Sequence, residues 1–164
     1  MKALRSLACA AGMLFMVALP AQAGEESPGS AATLGAKFAT LNDKLRQNQF
    51  QRPLHLHSSE GADQVSGEIH AVVNHPFATV GPALDKPSQW CDILILHLNT
   101  KYSRPETGSK VLHVTIGKKY DQPVDQAYRV EFVFRVAAKT ADYLQVNLSA
   151  TEGPLGTRNY RIVL

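Results

Sequence analysis

The amino-acid sequence predicts an α+β domain: one N-terminal helix, two short helical turns, and an antiparallel sheet of about six to seven strands. Three observations carry this. Leu34, Phe38, Leu41 and Leu45 recur at spacings of four, three and four, which lays one apolar stripe along a helix over 31–47. From Pro53 onward the apolar period changes to two, the signature of strands with one buried and one wet face. Between the early and late strand runs, residues 75–92 hold Pro76, Pro82, Pro87 and Gly81, which break any single long helix.

Residues 1–23 read as a secretory signal. Lys2 and Arg5 form a positive start, LACAAGMLFMVAL (7–19) is almost wholly apolar, Pro20 breaks it, and Ala21-Gln22-Ala23 supplies small residues at the cleavage positions. Thirteen helical residues rise only about 20 Å, short of a hydrocarbon core of about 30 Å. No later stretch is long and apolar enough to span a bilayer, so no transmembrane segment is expected in the mature chain, and a periplasmic or secreted location in a bacterium is. The formal net charge is +3, and two of those charges, Lys2 and Arg5, lie in the leader. No basic cluster with interleaved aromatics remains, which argues against nucleic acid as a partner. Residues 24–30, GEESPGS, read as a flexible linker, and 31–164 as a single domain.

Within that domain, Leu54 and Leu56 alternate with His55 and His57 on a short strand, and Val65 to Asn74 forms a second. SSEGAD (58–63) between them is turn-rich, so the two pair as a hairpin. Pro76 and Pro87 suit the first turns of two short helical segments near 76–84 and 87–92. Five further strand-like runs follow: 93–102, 110–118, 126–138, 142–151 and 158–164. The third alternates best, with Tyr128, Val130, Phe132, Phe134 and Val136 opposite Arg129, Glu131 and Arg135. Consecutive strands with short turns indicate a meander.

This order, and above all VSGEIHAVVNHPFATVGPALDKPSQW, where a strand runs into short helices and a Trp, resembles the START-like superfamily, the helix-grip fold of Bet v 1-type allergens and polyketide cyclases. The resemblance spans about residues 31–164 and rests on element order. It implies a curved sheet over a cavity, closed by a long C-terminal helix. This chain stops at Leu164 inside a strand-like run, so the resemblance further implies truncation before that helix.

Three functional readings follow. The first is a non-catalytic exported protein that buries an apolar small molecule or lipid under the sheet, with Trp90, Leu96, His97, Val130, Phe132, Phe134, Leu144, Val146, Leu148, Tyr160 and Ile162 lining the pocket. The second is an envelope protein that holds a protein partner. The third is a cyclase- or hydrolase-like enzyme using His97 or His113. The sequence contains no GxSxG, HExxH or phosphate-binding glycine loop, so no catalytic residue and no cofactor is assigned. His55 and His57, at i and i+2, share a strand face and would need a third ligand from His70, Glu68 or His113 to hold a metal; solvent-facing histidines are the commoner case, and no metal is expected. Cys91, the one cysteine outside the leader, has Asp92 beside it, which disfavours a thiolate. A small buried residue packed beside Trp90 is the expected role.

Overall fold

The structure is a computed structural model, and it describes residues 29–164. The signal-peptide reading and most of the linker therefore lie outside the described residues. The chain is α+β, with three helices and two antiparallel sheets.

Helix α1 spans Ala31–Arg46. The Ser30 hydroxyl caps it, accepting a hydrogen bond from the Thr33 amide at 3.1 Å and so satisfying one of the donors that a helix start leaves unpaired. Lys44 and Arg46 complement the dipole in the last turn. The stripe is only half used: Leu41 and Leu45 are buried, while Leu34 and Phe38 are exposed. The two linker residues that are described do not hang free. The Gly29 amide donates to Gln145 Oε1 at 2.7 Å. A Cβ at Gly29 would run into the Tyr143 hydroxyl, so a larger residue there would displace that side chain.

Strands β1 (Leu54–Glu60) and β2 (Val65–Ala71) pair as the expected hairpin, Leu56 opposite Ile69 and His57 opposite Glu68. They form a two-stranded sheet of their own instead of joining one sheet of six to seven strands. The remaining strands, β3 (Thr100–Pro105), β4 (Val111–Ile116), β5 (Tyr128–Lys139), β6 (Leu144–Glu152) and β7 (Arg158–Val163), form a five-stranded meander in sequence order. A register shift at Val136/Ala138 breaks the alternation near the end of β5.

The helical turns are in their expected places: α2 is Phe77–Leu84, and α3 is Pro87–Leu94, two residues longer than expected, with Pro87 in its first turn. The run ILILHLNTKY, expected as a strand from 93, is divided. Ile93 and Leu94 complete α3, 95–99 turn, and β3 starts at Thr100. A short continuous apolar run has no period to separate strand from helix. Here the helix set up by Pro87 continues into it. Asn99 then fixes the turn: its side-chain amide donates to Gly117 O at 3.0 Å, and its carbonyl accepts from the Gly117 amide at 2.7 Å.

The core lies between α2–α3 and one face of the meander. Leu112, Val114, Val130, Phe132, Phe134, Val146, Leu148 and Ala150 come from β4, β5 and β6, and Trp90 and Cys91 come from α3. Trp90 also donates its indole N–H to the Leu84 carbonyl at 2.6 Å. That bond satisfies an acceptor left over at the end of α2 and joins the two short helices. Leu148 has no exposed surface, so Leu148→Ala should cost about 2–5 kcal/mol in urea unfolding. Leu96 is 80% exposed, and Leu96→Ala should change the same measurement by no more than about 0.5 kcal/mol.

Candidate functional site

The residues expected to line a pocket fall into three groups. Trp90, Val130, Phe132, Phe134, Val146 and Leu148 are buried members of the core. Leu144 and Ile162 are half-buried and pack on its margin. Tyr160 is more open; its ring meets Phe132 edge to face, with centroids 5.7 Å apart. Leu96 and His97 are not part of this layer. Both stand on the exposed turn after α3, where His97 Nδ1 accepts from the Asn99 amide at 3.2 Å. Their expected place on a strand is lost because the helix runs on to Leu94.

Two clefts lie elsewhere, and sequence reasoning assigned neither. The smaller, about 360 Å³, is on the β1–β2 hairpin and is lined by Leu56, His57, Ser58, Gly67, Glu68 and Ile69. Ladder partners share a face, so Leu54, Leu56, Ile69 and Ala71 make one apolar side. Gly67 opposite Ser58 leaves a gap in that side where a larger side chain would stand. This side has little protein cover: Ile69 is 73% exposed, Val65 is 76%, and Val72 and Val73 continue the exposed apolar surface beyond the strand.

The other side of the hairpin is polar and is tied to α1. His55, His57, Glu68 and His70 share it. The sequence placed His55 and His57 together correctly, and the register adds Glu68 and His70. Of these four, Glu68 and His70 are hydrogen-bonded to each other; among the described residues, no three His, Cys, Asp or Glu side chains are grouped to hold a metal ion. Glu68 Oε2 lies 3.1 Å from both His70 Nε2 and Lys37 Nζ. These two hydrogen bonds, with the Lys37 charge added, hold the Glu68 carboxyl down at about 2. His55 stacks on His70 with ring centroids 6.3 Å apart. Desolvation lowers the His55 pKa, and Lys44, His70, His57 and Lys37 add to the effect because each disfavours a further positive charge.

The larger cleft, about 590 Å³, lies across β3, β4 and β5 on the face of the meander opposite the core, between Tyr102, Arg104, His113, Thr115, Arg129 and Glu131. His113 Nδ1 is 3.5 Å from Glu131 Oε1. The third-ligand candidate His113 is thus on a different sheet from His55 and His57.

Cys91 is buried in the core. Burial pushes its thiol pKa up, the neighbouring Ser103 hydroxyl partly offsets this, and Asp92 adds to the rise. The neutral thiol is a packing group, as the sequence predicted.

Comparison with known families, curated proteins and solved structures finds no match to this chain.

Two measurements check this electrostatic picture. The Glu68 carboxyl, followed by carbon NMR, should titrate near 2, and His70→Gln should move the midpoint up toward 4.5. Because its folded pKa is depressed, the stability it contributes is present above about 4.5 and is lost as the pH falls toward 2. Native Cys91 should resist an aromatic disulfide reagent at pH 8 and react fully in denaturant.

Proposed function

We propose that this is an exported, non-catalytic protein that binds a lipid or another apolar small molecule. The observation that carries the reading is the apolar side of the β1–β2 hairpin, where Leu56 and Ile69 pair across the strands beside the gap at Gly67. The site therefore moves from the core face of the meander, where α2 and α3 already cover Phe132, Phe134 and Leu148, to the hairpin.

The mechanism is burial. Covering apolar surface stabilises a complex by about 25 cal/mol per Å², less the cost of association. A two-stranded hairpin is marginal by itself in water, so a ligand laid over its apolar side also removes exposed surface that the fold leaves uncompensated. The sequence from β2 through α2 and α3 into the meander supports a START-like assignment for the domain, and the leader composition supports export to the periplasm or medium.

Organic extraction of the purified full-length protein, followed by lipid mass spectrometry, should recover a bound apolar species. Ile69→Asp should weaken binding of a fluorescent fatty acid roughly tenfold, equal to about 1.4 kcal/mol, without lowering the thermal midpoint. Undiminished binding in that variant, or no binding by the parent protein, would overturn the reading.

A further inference from the structure

The outer face of the meander carries a cleft of different chemistry, on a different sheet from the hairpin. Strand register places Arg104, His113 and Glu131 in one row across β3, β4 and β5, and Tyr102, Thr115 and Arg129 in the next. All six line the 590 Å³ cleft. Arg104 and Arg129 stand at opposite corners, two strands and two residues apart, so about 12 Å separates their Cα atoms. Two long side chains starting that far apart can bring their guanidinium groups together over the cleft.

The polar groups here divide by whether they are engaged. Glu131 Oε1 faces His113 Nδ1 across the β4–β5 pair at 3.5 Å. Glu106, the other carboxylate on the rim, accepts from the Ser109 hydroxyl at 2.5 Å. Neither Arg104 nor Arg129 has a carboxylate partner among the described residues. Thr115, on the β4 strand that crosses the cleft, is only 4% exposed although it is polar.

We infer that this cleft binds a phosphate group, with Arg104 and Arg129 supplying charge-assisted hydrogen bonds and the Thr115 and Tyr102 hydroxyls completing the donor set. A tetrahedral oxyanion suits donors that arrive from three strands, since it offers oxygens in every direction. Guanidinium groups meet such oxygens two at a time, which a lysine ammonium does not do. The phosphate is either that of a small soluble molecule or that of a lipid headgroup.

The full chain labelled with nitrogen-15 should be titrated at 150 mM salt with inorganic phosphate, and separately with phosphatidylglycerol vesicles against phosphatidylcholine vesicles. The Arg104 and Arg129 side-chain Nε–H signals should shift and saturate. Arg104→Gln and Arg129→Gln should each weaken binding at least tenfold while leaving the melting curve in place. Lys118→Gln, which removes an equal charge outside the cleft, should leave binding unchanged. Saturation by phosphate identifies a soluble ligand, and saturation by phosphatidylglycerol vesicles alone identifies a headgroup; both support the site. Absence of saturation with either probe would overturn it. So would equal loss in Lys118→Gln, or wild-type binding by the two arginine variants. Because Ile69 lies on the other sheet, Ile69→Asp leaves this titration untouched, and the two sites fail or stand separately.

Discussion

The structure depends on one act of burial, the closing of the apolar face of β4, β5 and β6 by two helices of eight residues each. Helices that short have little stability of their own. They hold because Trp90 serves two purposes at once. Its ring sits in the core with Phe132 and Leu148, and its N–H ends α2 at the Leu84 carbonyl. Lys139 adds a charged tie from the end of β5 to Asp85, in the link between the helices. Gly81 contributes by having no side chain, since a Cβ there would stand 2.9 Å from the Phe77 ring.

The hairpin and α1 form a second, weaker unit. It buries Leu41 and Leu45 but leaves Leu34, Phe38 and Ile69 in solvent. Its polar side is held by exposed hydrogen bonds and charges among Lys37, Glu68 and His70, which salt screens. A described connection between this unit and the meander is the bond from Gly29 to Gln145, supported by the Tyr143 hydroxyl, which donates to the same oxygen. The two units thus present contrasting surfaces: an apolar face on a lightly held hairpin, and a charged cleft on a rigid sheet.

Much of this fold was legible in the sequence, and for stated reasons. The stripe from Leu34 to Leu45 placed α1 within a residue of its observed end, and the alternation in 126–138 identified β5 and its buried face. Pro76 and Pro87 marked both short helices. Two features were not legible. The ILIL run lacks a period, so its division between α3 and a turn depended on tertiary packing around Trp90. Likewise, alternation shows that a strand has an apolar side but not which sheet it joins, and β1 and β2 were therefore assigned to the wrong sheet. The same limit explains the sites. Phe132 and Leu148 were correctly read as facing inward. The cleft between Arg104 and Arg129 was missed because it exists only once three strands, more than twenty residues apart at their ends, are in register.

Every strand of the meander pairs with the strand next to it in the chain. Such a sheet can assemble by successive local hairpins, without waiting for a remote segment to diffuse into place, and topologies of this kind fold comparatively fast. The bond from Gly29 to Gln145 spans 116 positions and carries the opposite entropic burden. Assembly on this plan begins with local hairpins and ends with the docking of the N-terminal helix through Gly29, so that link between the two units is the last to arrive and the first to leave.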